Sequence, residues 1–168
     1  MQSDNSYDFS ELRKHQLKAV KALENIDAVC RKHNIKYFLI AGSTLGAVRH
    51  KGFIPWDDDI DIGMTMEDYD RFKELIKTEL SEEFVWKHTD VDPSFPTLSG
   101  RVLSGDEQLM TVFPIIRLSD NKLMRLSQWM IRKVASPIYQ RKVHFLDWDR
   151  LDKPAQKAVY FISVILSV

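Results

Sequence analysis

Four aspartates within five positions, Asp57, Asp58, Asp59 and Asp61, restrict this chain more than any other feature. They follow Lys51-Gly52-Phe53-Ile54-Pro55-Trp56 and lead into Ile62-Gly63. From Asp59 onward carboxylates alternate with isoleucines. That is the period of a β-strand, whose side chains point to opposite faces in turn. Asp59 and Asp61 then share one face, and Ile60 and Ile62 the other. Two strand residues span about 6.6 Å, so both carboxylates can reach one cation. Without a cation the arrangement is costly, because two like charges ~4 Å apart repel by roughly 4 kcal/mol at a protein surface.

The cluster has three readings. A solvated acidic loop leaves the alternation and the apolar neighbours Phe53, Ile54 and Trp56 unexplained. A calcium loop would use Asp57, Asp59 and Asp61 as its first, third and fifth positions. It also needs Gly at the sixth and Glu at the twelfth, where this chain has Ile62 and Asp68. The third reading is a carboxylate pair holding Mg²⁺ against phosphates, since magnesium favours one or two carboxylates plus substrate oxygens. Its support is the preceding strand, Gly-Ser and helix. Gly42 permits close backbone approach, and free N–H groups at a helix start can receive a phosphate.

The 168 residues favour one domain with a real core. Net charge is zero and names no partner, and no nucleic-acid partner is expected. The distribution is uneven: Asp57 to Asp92 holds 13 acidic and 4 basic residues, net −9, and Arg117 to Lys142 holds 7 basic and 1 acidic, net +6. The single cysteine, Cys30, excludes an internal disulfide and suits a reducing compartment. The N-terminus lacks an apolar signal region, and the apolar run Ala158 to Val168 is too short to span a bilayer.

Periodicity predicts a first helix opened by Asp8 with Glu11, carrying Leu12, Ala19, Leu23, Ile26 and Cys30 on one stripe and stopping near Asn34. Tyr37–Ala41 reads as a buried strand, Gly42-Ser43-Thr44 as the turn after it, and Leu45–His50 as a short helix. Thr65 with Asp68 opens another helix with Tyr69, Phe72, Leu75, Ile76 and Leu80 inward. Phe84–His88 reads as a strand and Val91–Pro96 as a loop. Leu98–Leu103 and Leu109–Ile116 flank Ser104-Gly105-Asp106, a hairpin turn. Beyond Asn121 the pattern is helical, interrupted at Pro137 and Pro154. The order suggests an α+β or α/β core.

The stretch from Gly42 to Gly63 closely resembles the signature of the LicD family, the phosphorylcholine transferases and their fukutin-like relatives. Clear resemblance covers about residues 15 to 80, and Val112-Phe113-Pro114-Ile115 is similar to the family's later Phe-Pro segment. The resemblance implies an α+β, nucleotidyltransferase-like mixed sheet flanked by helices, with a helical C-terminal part. It implies transfer of a substituted phosphate, phosphocholine or an alditol phosphate, from a CDP-linked donor such as CDP-choline to a glycan hydroxyl. Gly42 and Ser43 match the family's phosphate-side element, and Asp59 and Asp61 its metal-binding pair.

One departure stands out. The family carries an aspartate two residues before the Phe-Pro pair and a second acid after it; these positions are Thr111 and Ile116 here. Threonine supplies no charge and is a poor base. Glu107 could substitute only if the hairpin is registered differently. The chain also ends inside an apolar helical run, shorter than the family norm.

Other candidates have a functional and a plainer reading. Thr44, Arg49 and Lys51 join Gly42 and Ser43 as candidate donor-phosphate contacts, the last two equally readable as solvated surface. Arg101 is a candidate phosphate contact or a structural residue. Trp56 packs its loop onto the core or stacks on a base or choline group. Cys30 is expected buried and inert, and the five histidines ordinary surface or loop residues. Leu123 to Tyr139, with Trp129, Arg132 and Lys133, reads as a basic amphipathic helix pair that packs on the core or docks on an anionic membrane. The expectation is a cytoplasmic Mg²⁺- or Mn²⁺-dependent phosphotransferase, with peripheral contact at the inner membrane face as an option. In it Asp59 and Asp61 hold the metal and act in catalysis. The rival is an inactive module that binds nucleotide or a partner through a degenerate site.

Overall fold

The computed structural model describes residues 9–92, 95, 97, 99–130 and 133. The first helix, α1, runs Phe9–Lys32. Ala19, Ala22, Ile26, Val29 and Cys30 recur at helical spacing and form its buried stripe, with Gln16 the one polar member. Arg31 and Lys32 lie in the last turn, where cations suit the helix dipole. The chain then turns at Asn34, whose φ of 53° lies in the left-handed region asparagine tolerates. Asp8, the expected cap, lies outside the described residues.

Strand β1 is Tyr37–Leu39, and α2 follows at Ala41–His50. The strand expected to run to Ala41 therefore ends two residues early. Gly42, Ser43 and Thr44 belong to the first turn of α2 and not to a loop before it: the Thr44 N–H donates to the Ile40 carbonyl at 3.2 Å. Ala41 enters this helix with a φ of 48°, a left-handed conformation that costs an alanine roughly 1–2 kcal/mol. Strand β2 is Ile60–Thr65 and α3 is Met66–Glu79. The Thr65 hydroxyl accepts from the Asp68 N–H, the cap expected from the sequence. Tyr69, Phe72 and Ile76 are buried, and Leu75 and Leu80 pack against the core.

Strands β3 (Val85–Lys87), β4 (Gly100–Ser104) and β5 (Glu107–Ile115) complete a mixed five-stranded sheet, in the order β1-β2-β5-β4-β3. Only β2 and β5 are parallel. The hairpin is confirmed, with Ser104 opposite Glu107 and Gly105 at a φ of 59° between them. Among the described residues the fold is thus α+β, a mixed sheet with three helices in its own unit and a fourth in the second unit described below. Ile60, Met110, Val102 and Trp86 line up across four strands and are all buried. They share the core with the inward stripes of α1 and α3, and Phe72 meets Trp86 edge-on at 5.6 Å. Such aromatic pairs add about 0.5–1.5 kcal/mol beyond their burial. Cys30 lies in this core, and burial pushes its thiol up to about 12, which leaves it inert as expected.

By its contacts the chain divides into two compact units, Met1–Lys87 with Ser99–Ile115 and His88–Leu98 with Ile116–Val168. The first holds the sheet and α1 to α3. In the second, residues 122–130 form helix α4, on which Leu123, Met124, Leu126, Trp129 and Met130 are exposed. Lys133 lies over the Trp129 ring. The remainder of the expected helix pair, with Pro137 and Pro154, falls outside the described residues. No helix among the described residues is long and apolar enough to cross a membrane.

Candidate active site

The site begins with the way α2 lies on the loop that follows it. Gly42 and Gly46, one turn apart, face the chain between Gly52 and Asp57. A Cβ on Gly46 would stand 2.5 Å from the Gly52 carbonyl oxygen and 3.0 Å from the Ile54 nitrogen. A Cβ on Gly42 would stand 2.8 Å from the Asp57 carboxylate. Gly46 is therefore required by close packing against backbone, while Gly42 leaves room for the Asp57 carboxylate beside the start of α2. Ser43 fixes the next contact, its hydroxyl accepting from the Asp61 N–H at 2.8 Å. The Ile40 N–H donates to the Asp61 carbonyl at 3.0 Å. Strand β2 and the helix start are thus tied on both sides of one residue.

A third tie comes from α1. Gln16 is buried, and its amide donates to the Asp57 carbonyl at 2.8 Å across 41 residues of sequence. Sequence reading missed this residue, although a glutamine on the buried stripe of a helix is a signal that its amide must find a partner.

Asp61 lies inside β2 and Asp59 one residue before it. Asp61 pairs in register with Thr111 of β5, the position where the resemblance leads one to expect a carboxylate. Thr111 thus stands beside Asp61 across the two parallel strands. Gln108 completes the group, its amide donating to Asp59 at 3.2 Å and to the Thr111 hydroxyl at 3.3 Å. In a regular strand positions 108 and 111 face opposite ways. A register shift between β4 and β5, where Val102 pairs with Met110 but Leu103 pairs with Gln108, brings both to one face. Leu109, the extra residue, is fully buried. Gln108 was also missed, because a bulge breaks the period-two count.

Burial pushes the Asp61 carboxyl up, reinforced by Asp59 and Asp57, while the Thr111 side chain holds it down. Asp59 is likewise raised by burial and by Asp58 and Asp57, against the opposing bond from Gln108. Carboxylate oxygens of Asp57, Asp58 and Asp59 lie within 4.8 Å of one another. This crowded all-oxygen donor set fits a hard divalent cation such as Mg²⁺.

The other expected site residues fall elsewhere. Thr44, Arg49 and Lys51 are exposed. Arg49 lies in the last turn of α2, about 9 Å along its axis from Ser43. Lys51 caps the C-terminus of α2 with a φ of 57° and donates to the Val48 carbonyl. It also lines an open pocket of about 370 Å³, walled mostly by apolar side chains of α1, β1, α2, the following loop and β2, whose other charged or hydroxyl members are Ser43 and Asp57. Glu107 does not substitute for the missing acid: its carboxylate is exposed and bound to Lys18 at 2.7 Å. Trp56 does not pack onto the core, being 65% exposed. Among the histidines, His88 is buried and His15 donates to the Gln108 carbonyl at 3.1 Å, so neither is an ordinary surface residue.

Known proteins are similar to this chain in sequence. The chain is 44% identical over 73 residues to the lipopolysaccharide cholinephosphotransferase LicD of Haemophilus influenzae, covering 44% of this chain and 28% of that protein. It is 40% identical over 58 residues to the human ribitol 5-phosphate transferase FKRP, covering 32% of this chain and 12% of that one. The match thus spans little more than a quarter of the bacterial relative and about an eighth of the human one. Residues 34–146 match the nucleotidyltransferase domain of the LicD/FKTN/FKRP family, and the chain belongs to that family.

Proposed function

We propose that this chain transfers a substituted phosphate from a CDP-linked donor to a glycan hydroxyl, with Mg²⁺ or Mn²⁺ held by Asp59 and Asp61. The observation that carries this reading is the gathering of the Asp57, Asp58 and Asp59 carboxylates beside the start of α2, with Asp61 tied there through its backbone N–H to Ser43, in a chain of this family. When bound, the cation neutralises charge on the donor diphosphate and polarises the phosphoryl group under attack. Ser43 and Gln108 hold the two carboxylates in place, one through the Asp61 backbone and one through the Asp59 side chain. The glycan hydroxyl oxygen bonds to the phosphorus that bears the head group. The bond from that phosphorus to the bridging diphosphate oxygen breaks, and CMP and one proton leave.

The pocket beside Asp57 suits the head group. Its walls are largely apolar, and its two charged members, Asp57 and Lys51, are of opposite sign. A trimethylammonium group, a cation with an apolar surface, fits such a lining better than a polyol, which needs several hydrogen-bond partners. Phosphocholine is therefore favoured over an alditol phosphate. A second reading, nucleotide binding without turnover, is favoured by one observation, the uncharged Thr111 beside Asp61. Incubation with CDP-choline and with CDP-linked alditols, plus Mg²⁺ and glycan, tests both. CMP release is expected, fastest from CDP-choline; saturable donor binding without CMP would support the second reading.

A further inference from the structure

Strand register sets four side chains in one row across the sheet. Asp61 of β2 pairs with Thr111 of β5, Thr111 with Arg101 of β4, and Arg101 with Lys87 of β3. Residues directly opposed in a sheet project from the same face. The row beside it, Ile60, Met110, Val102 and Trp86, is buried in the core, so the first row belongs to the other face. Along that face the chemistry runs from carboxylate through hydroxyl to guanidinium and ammonium. Strands lie about 4.8 Å apart, which places the Arg101 backbone ~10 Å and the Lys87 backbone ~14 Å from that of Asp61.

We propose that Arg101 and Lys87 form the anion-binding end of this row and seat the phosphate oxygens of a nucleoside diphosphate whose other end lies at the aspartates; this rests on the donor reading above. One divalent cation leaves a diphosphate with residual negative charge. The Arg101 guanidinium places a permanent positive charge one strand beyond Thr111, and the Lys87 ammonium adds a second one strand further. The chain's known charge asymmetry does not predict this pairing, because Arg101 and Lys87 are 14 residues apart and meet only through the hairpin register.

The test uses the whole chain with CDP and with inorganic pyrophosphate as probes. Each is titrated calorimetrically in Mg²⁺, alongside Mn²⁺ binding alone followed by electron paramagnetic resonance. Arg101→Gln is expected to weaken CDP at least tenfold and Lys87→Gln about threefold, with Mn²⁺ affinity unchanged within twofold. Unchanged CDP affinity in both variants overturns the anion subsite and leaves the donor reading standing. If the parent binds pyrophosphate in an Arg101-dependent way but not CDP, the subsite stands and the nucleotide donor fails. If the parent binds neither probe, both fail. Should circular dichroism show Arg101→Gln unfolded, Arg101→Lys and the exposed Lys87→Gln decide, and unchanged CDP affinity in that pair overturns the proposal.

Discussion

Thr111 stands directly opposite Asp61 on the parallel strand β5, and it opposes the burial that pushes the Asp61 carboxyl up. The place where a third acid would complete the cluster is therefore real in space as well as in sequence. Thr111→Asp should lower the stability of the metal-free protein, because a third carboxylate joins carboxyls already raised by burial and by each other. Each kcal/mol lost lowers the melting temperature of a chain this size by roughly 2–4 °C. Mg²⁺ should reverse the loss, and Mn²⁺ affinity should rise about tenfold, 1.4 kcal/mol. Thermal scans with and without metal check this. A variant no more responsive to metal than the parent would show that position 111 does not face the cation.

The aspartates themselves should trade stability for binding. Both Asp59 and Asp61 have carboxyls raised above the ordinary range, with burial the first cause. The native state then holds more protons than the unfolded one between the ordinary and the raised values. By linkage, stability of the metal-free protein falls as pH rises through that window and recovers as pH falls. Asp59→Asn with Asp61→Asn should flatten this dependence and raise the melting temperature by a few degrees at neutral pH. It should also abolish stabilisation by Mg²⁺ with a CDP-linked donor, which a ligand at 100 times its dissociation constant sets at about 2.7 kcal/mol. Denaturant melts from pH 4 to 8 give the first result and metal titrations the second.

What was legible in the sequence is what repeats or caps locally. The Thr65–Asp68 cap, the inward stripe of α3, the turn at Gly105 and the Asp-Ile alternation each depend on residues within a few positions of one another. What escaped depends on contacts between distant segments. Gly42-Ser43-Thr44 reads as a turn because those residues favour turns, yet they are helical, since Gly42 and Gly46 must lie flat on the loop that precedes Asp57. Gln16 finds its partner only when Asp57 arrives from 41 residues away. Gln108 counts to the wrong face until the bulge turns it. The aromatic Trp56 suggested packing, and the loop carries it outward instead.

The two glycines of α2 should fail differently when enlarged. A Cβ at Gly46 meets backbone atoms of Gly52 and Ile54 that cannot swing away. Gly46→Ala should therefore cost about 1–3 kcal/mol of stability, the usual range for forced overpacking. A Cβ at Gly42 meets the end of the Asp57 side chain, which can rotate. Gly42→Ala should keep the fold, helped by up to about 1 kcal/mol of helix propensity, while weakening metal and donor binding severalfold. Chemical denaturation paired with calorimetry separates the cases. Equal stability losses at both positions would mean that Asp57 is held too rigidly to yield.

Gln108 and Glu107 are neighbours in sequence with opposite expected consequences. Glu107 is exposed, and its carboxyl is held below the usual range chiefly by the Lys18 ammonium. Exposed pairs of this kind add little to stability, so Glu107→Gln should leave the melting temperature nearly unchanged, and metal affinity as well. Gln108 donates to Asp59 and to Thr111, and Gln108→Leu removes both bonds. It leaves a half-buried carboxylate without the donor that lowers its pKa, so Asp59 should titrate higher and Mn²⁺ affinity at neutral pH should fall, by about tenfold if one charge-assisted bond of ~1.5 kcal/mol is lost. Raising the pH should restore more of that affinity in Gln108→Leu than in the parent, where the Gln108 bond opposes the rise. If instead Glu107→Gln weakens metal and Gln108→Leu does not, Glu107 leaves Lys18 when the cation binds and supplies the acid that Thr111 lacks.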